Sequence, residues 1–96
     1  MTADPSLLVL ASLSAGDKHG YAMMDDIEEF TGVRLGPGTL YGAITRLEER
    51  GWIRQVASLD RRKPYAITAA GVAQLKEEIG ALERLVKSTS RRLKQA

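Results

Sequence analysis

The chain has no cysteine, and it has one histidine, one tryptophan, one phenylalanine and three prolines in 96 residues. Without cysteine there is no disulfide framework and no thiolate site, which suits a reducing cytoplasm, the expected location. His19 stands without a partner at ligand spacing, so it reads as a turn or capping residue beside Gly20 and not as a metal or catalytic group. No apolar run approaches the roughly 18 residues that span a bilayer, so no membrane partner is expected. No basic segment leads into an apolar one at the N-terminus, so no signal peptide is expected either. There is no nucleophile–base pair and no phosphate-binding G-x-x-x-x-G-K-S/T string. The expectation is a protein that is not an enzyme and needs no cofactor or metal.

Hydrophobic residues make up 44% and charged residues 27%, the balance of an ordinary globular domain. The net charge of +2 hides a segregation. Residues 1–30 carry one base, Lys18, against six acids and sum to −5, whereas residues 31–96 carry 13 bases against six acids and sum to +7. A basic second part favours a polyanionic partner, though a solvated surface can look the same.

The stretch LGPGTLYGAITRLEERGW, residues 35–52, organises the rest. Leu40, Ala43, Ile44 and Leu47 recur at i, i+3, i+4, i+7 and lie on one helical stripe. Gly38, Gly42, Thr45 and Glu49 take the opposite face, flanked by Tyr41 and Arg46. Gly36-Pro37-Gly38 starts the helix and Gly51 ends it. Such a helix is either an ordinary surface element or one shaped for a DNA major groove.

Upstream, Asp4-Pro5 opens a first helix whose residues Leu7, Leu8, Leu10, Ala11 and Leu13 are apolar on more than one side. That helix needs cover beyond its own core, and a second subunit is expected to supply it. Ser14 to Asp17 forms a turn. A second helix, about Tyr21 to Phe30, buries Met23, Ile27 and Phe30 and turns Asp25, Asp26, Glu28 and Glu29 to solvent, with no loop or further ligand to make a cation site of them. Thr31-Gly32 closes it. Two short helices about a glycine turn, the later one with a groove-compatible face, read as a helix-turn-helix.

Trp52–Val56 and Pro64–Thr68 read as a hairpin with Tyr65 and Ile67 on one face. Its tip carries Arg61, Arg62 and Lys63, which would track phosphates as a wing; otherwise it is a plain basic loop. Thr68 caps a last helix from Ala69 to near Lys94. Val72, Leu75, Ile79, Leu82, Val86, Thr89 and Leu93 are spaced 3, 4, 3, 4, 3, 4, a heptad seam with one polar slot. At 1.5 Å per residue the helix is about 40 Å long and overhangs a domain whose radius of gyration is roughly 11 Å. Its exposed stripe calls for a second copy.

Three pieces, HGYAMMDDIEE at 19–29, GPGTLYGAITRLEERGWI at 36–53 and PYAITAAGVAQLKE at 64–77, resemble the PadR family of bacterial transcriptional regulators. Gly38-Thr39-Leu40-Tyr41, followed by Arg46-Leu47-Glu48 and Gly51, is the most specific part. Gly42 stands where many relatives have proline, and the wing is short. The fold expected is mainly α with a small β-hairpin (α+β): a winged helix-turn-helix over residues 1–68 and a long C-terminal dimerisation helix over 69–96. The resemblance implies a homodimeric repressor on a palindromic operator of double-stranded DNA.

The residues expected at DNA are Gly38, Thr39, Tyr41, Gly42, Thr45, Arg46, Arg61, Arg62 and Lys63, with Arg46 the one for phosphate or guanine. Those expected at the dimer contact are Leu7, Leu10, Val72, Leu75, Ile79, Leu82, Val86 and Leu93. Some relatives release DNA on binding a phenolic acid or a flat aromatic drug. No aromatic residue follows Tyr65, so the last helix offers no stacking surface for a small aromatic effector, and the places open to one are around Trp52, Phe30 or the first helix. The rival reading is a protein-interaction module that keeps the winged helix as a scaffold and recruits another helix through the seam.

Overall fold

The computed structural model describes residues 4–59 and 61–96. Residues 1–3, at the start of the expected DNA-binding domain, and Asp60, in the expected wing tip, lie outside the described residues. The elements run α1 (Pro5–Ser14), β1 (Lys18–His19), α2 (Gly20–Thr31), α3 (Pro37–Glu49), β2 (Ile53–Gln55), β3 (Pro64–Ile67) and α4 (Ala69–Gln95). This is the mainly helical architecture with a small antiparallel sheet that the periodicities call for.

Helix α1 is the hub. The Asp4 carboxylate accepts from the Ser6 N–H at 3.0 Å, and Pro5 fills the first turn. Leu8, Val9, Leu10, Ser12 and Leu13 are all buried, because α2, α3, α4 and β3 pack around the helix within one chain. The all-round apolar character of α1 is therefore satisfied largely by its own subunit. Leu10 is only 1% exposed and leaves the expected dimer contact for this reason.

Ser12 is fully buried, and its hydroxyl donates to Asp26 Oδ2 at 2.7 Å. Lys18 Nζ donates to the Ser12 carbonyl at 2.6 Å and stands 3.9 Å from Asp26. Asp26 thus faces inward, unlike the solvated acid expected of it. Asp25 and Glu28 keep to the surface and pair with Arg34, at 2.6 and 3.8 Å. The buried stripe of α2 is Met23, Met24 and Ile27, and Phe30 is 51% exposed. The buried stripe thus takes Met24, 2% exposed, in place of Phe30.

Lys18–His19 adds a short strand, absent from the expected elements, between the Ser14–Asp17 turn and α2, and His19, expected as a turn or capping residue, caps α2. The strand pairs with β3 in the register Lys18↔Tyr65 and His19↔Pro64, giving the order β1-β3-β2. On the other edge Ile53, Arg54 and Gln55 face Ile67, Ala66 and Tyr65. As the central strand, β3 buries Tyr65 and Ala66 on successive faces and leaves Ile67 half-buried, so the expected Tyr65/Ile67 face holds only in part.

The exit of α3 and the entry of α4 form one joint. Gly51 has φ 75°, the left-handed conformation that turns the chain out of the helix. Thr68 caps α4 by accepting from the Gly71 N–H at 3.1 Å, donates its hydroxyl proton to the Gly51 carbonyl at 2.7 Å, and donates its own N–H to the Trp52 carbonyl at 3.0 Å. Gly71 and Leu75 are buried, so the first turns of α4 brace the core of residues 4–68. Beyond them the 27-residue helix projects, giving overall extents of 56 × 26 × 20 Å.

Candidate nucleic-acid interface

Helix α3 presents the surface that its spacing implies. Leu40, Ala43, Ile44 and Leu47 are buried. Gly38, Thr39, Tyr41, Thr45 and Arg46 are exposed, and Gly42 is half-exposed. Gly36 gives no side-chain cap, so the first N–H groups of α3 open to solvent at the end that carries no acid. Glu48 and Glu49 lie at the far end. Thr45 donates its hydroxyl proton to the Tyr41 carbonyl at 3.0 Å, which leaves the oxygen as an acceptor.

Tyr41 and Arg46 stand about 140° apart around the helix, on opposite edges of the exposed strip. On one edge Tyr41 meets the start of α2 and the wing. These elements enclose a cleft of about 230 Å³, lined by Tyr41, by His19, Gly20 and Tyr21, and by Arg61, Arg62, Lys63 and Tyr65. The three wing bases and the α3 tyrosine, expected at DNA from separate parts of the chain, therefore share one cleft. His19 is the cap of α2, with Nδ1 accepting from the Ala22 N–H at 3.2 Å. Among the described residues no group of three His, Cys, Asp or Glu side chains is placed to hold a metal ion.

On the other edge Arg46 lies back over Gly42, whose Cβ position would be 3.5 Å from Arg46 Nη1. With Arg50 and Leu47 it borders a second cleft of about 180 Å³ that also takes in Trp52, Leu10, Gln74 and Glu78. The Arg50 guanidinium covers the Trp52 ring at 5.1 Å.

The residues expected at a dimer contact divide. Leu10 and Leu75 are core residues, the latter 6% exposed. Leu75 departs from the seam because the first turns of α4 lie against α1. Leu7 and Val72 are half-buried. Ile79, Leu82, Val86 and Leu93 are exposed, and Leu85 joins them at 61%. Leu7 shares a groove with Ala81, Leu82 and Leu85, so the first helix borders the seam through Leu7.

His19, Gly20, Tyr21 and Tyr65 are the cleft residues that were missed as site residues. The two-residue strand β1 brings the first three to the wing, and nothing in the periodicity announces it.

A helix-turn-helix followed by a short wing with a basic tip, on a chain with no metal centre among its described residues, defines the winged-helix class. Residues 9–77 match the family described as transcriptional regulator PadR-like, and the chain belongs to that family. It is 33% identical over 84 residues to the transcriptional regulator Rv3488 of Mycobacterium tuberculosis, covering 84% of this chain and 78% of that protein. It is also 43% identical over 84 residues to an uncharacterized 37.1 kDa protein in transposon TN4556 of Streptomyces fradiae. That match covers 88% of this chain but only 24% of the relative, so the chain spans about a quarter of that relative's length. A crystal structure of a PadR family transcription regulator from Clostridium difficile shares the fold, with a TM-score of 0.85 over 95% of this chain and 99% of that one at 24% identity. The PadR-like family, Rv3488 and the Clostridium difficile protein are transcriptional regulators and not enzymes. Among the described residues no helix is long and apolar enough to cross a membrane.

Proposed function

We propose that the chain binds double-stranded operator DNA in a sequence-specific way and represses transcription as a homodimer on a palindromic site in the cytoplasm. The observation that carries this is the convergence of Tyr41 with Arg61, Arg62 and Lys63 on one cleft beside the exposed strip of α3. A groove-sized helix with cations alongside is what a duplex requires: the helix reads base edges and the wing holds phosphate. Gly38, Thr39, Tyr41, Gly42, Thr45 and Arg46 take the reading role. Residues 1–68 serve as the DNA-binding unit and 69–96 as the dimerisation helix.

Exposed Ile79, Leu82, Leu85, Val86 and Leu93 support pairing through α4, since so much apolar surface on one projecting helix is costly in water. Released by a small aromatic ligand, the protein would offer the Trp52 cleft. At about 180 Å³ it lies below the roughly 300 Å³ of ordinary ligand sites and suits one ring at most.

The test is a gel-shift titration at low salt with fragments from upstream of the protein's own gene, followed by selection from random duplexes. Retardation by a fragment that holds an inverted repeat supports the reading. The same exposed face of α4 also fits a foreign helix, the rival reading. No retardation, together with a heterologous helical partner on α4, would favour that rival.

A further inference from the structure

We infer that Gly20 is a positioning residue for DNA binding, because the bare backbone at the start of α2 is what lets the Tyr41 ring settle between the recognition helix and the wing. The inference rests on the DNA-binding reading above and names a residue that the reading does not need.

Glycine is not there for its backbone freedom. The positive-φ glycines are Gly16, Gly32 and Gly51, and Gly20 is not among them. It opens a regular helix, where alanine is the better residue. What forbids a side chain is Tyr41: a Cβ on Gly20 would overlap Tyr41 Oη and sit 2.7 Å from Cζ and 3.1 Å from Cε1.

The two sides of this contact differ in how far they can give. The backbone under the ring is pinned on both flanks. His19 is paired to Pro64 across β1–β3 and caps the Ala22 N–H, and Met23 is fully buried three residues on. Tyr41 is 40% exposed, and a side chain that reaches solvent gives way more readily than a paired backbone. A methyl group at position 20 therefore displaces the ring and leaves the fold standing. The displaced ring loses the place it holds in the cleft it shares with Tyr65 and the wing bases.

Three variants test this: Gly20→Ala, Tyr41→Ala and the pair together. They are compared for operator affinity, thermal unfolding and the ring signals of Tyr41 in tyrosine-labelled NMR spectra. Gly20→Ala should melt close to the parent, shift the Tyr41 ring signals and weaken operator binding about tenfold, roughly one charge-assisted hydrogen bond. The double variant should bind no worse than Tyr41→Ala alone, since Gly20 acts only through that ring. A Gly20→Ala protein with unmoved ring signals, or with parental affinity, would overturn the assignment while leaving DNA binding intact. So would a double variant weaker by the product of the two single losses. A parent protein that binds no duplex would remove the DNA-binding reading itself, and this role with it.

Discussion

Replacing Gly71 by alanine sets two ordinary effects against each other. Position 71 lies in the first turn of a long helix, where alanine improves helix propensity by about 1 kcal/mol. Yet the new Cβ would overlap the Trp52 carbonyl oxygen and approach Ile67 Cγ1 to 2.8 Å and the Trp52 carbonyl carbon to 3.0 Å. These are backbone and packed core atoms, and the Trp52 oxygen is itself held by the Thr68 N–H at 3.0 Å. Relief means parting α4 from the start of β2. Overpacking of this kind costs about 1–3 kcal/mol and a weakened hydrogen bond about 0.5–1.5 more. Packing wins, with a net loss of about 2 kcal/mol. For a chain of this size that lowers the melting temperature by about 8–16 °C. Gly80 is the control in the same helix. A Cβ there meets only the far end of Arg84, at 3.4 Å, so Gly80→Ala should gain up to about 1 kcal/mol. Thermal unfolding followed by far-ultraviolet circular dichroism, at one fixed protein concentration, reads both. A Gly71→Ala protein as stable as the parent would refute the claim that the Thr68–Trp52 joint is close-packed.

Three further outcomes are expected. Alanine at Arg61, Arg62 and Lys63 together should weaken binding to every duplex and lower the slope of log affinity against log salt by up to about 2.7, at about 0.9 per phosphate contact; an unchanged slope takes the wing out of the mechanism. Leu82→Asp puts a charge in the centre of the exposed stripe of α4 and should yield a monomer by sedimentation that no longer holds a palindromic operator, whereas a dimeric variant would put the contact elsewhere. Burial raises the Tyr65 hydroxyl above its ordinary pKa of 10.0, with nearby Glu48 adding and the Gln55 hydrogen bond opposing. The folded chain therefore holds that proton longer than the unfolded chain, and the stability it lends is lost as pH climbs above about 10; Tyr65→Phe should flatten that alkaline fall in pH-dependent unfolding curves.

Helix α3 was legible because four apolar residues at helical spacing meet one core and glycines mark both ends. The wing was legible because a basic tip lies between two strand-like runs. Strand β1 was not, since two residues carry no period, and its pairing with β3 depends on a contact 47 residues away, Lys18 with Tyr65. The choice between Met24 and Phe30 was equally hidden: both fit a stripe with Ile27, and which one is covered depends on tertiary packing that the period does not carry. Asp26 read as one more surface acid because its partner, Ser12, is an inconspicuous serine in the preceding helix. The apolar seam of α4 was legible as a period, but the period did not say where the core stops using it, between Leu75 and Ile79.

The Thr68 joint leaves no slack between the helix that would read DNA and the helix that would join two subunits. Two hydrogen bonds tie the Gly51 and Trp52 carbonyls to Thr68 at the root of α4, and a third, from the Gly71 N–H to the Thr68 hydroxyl, caps that helix. In a pair of such subunits, the separation of the two reading surfaces would be a fixed length of the assembly. A single base pair inserted between half-sites moves the second one by about 3.4 Å and turns it by roughly a tenth of a revolution. A rigid caliper of this kind has no means to follow that displacement.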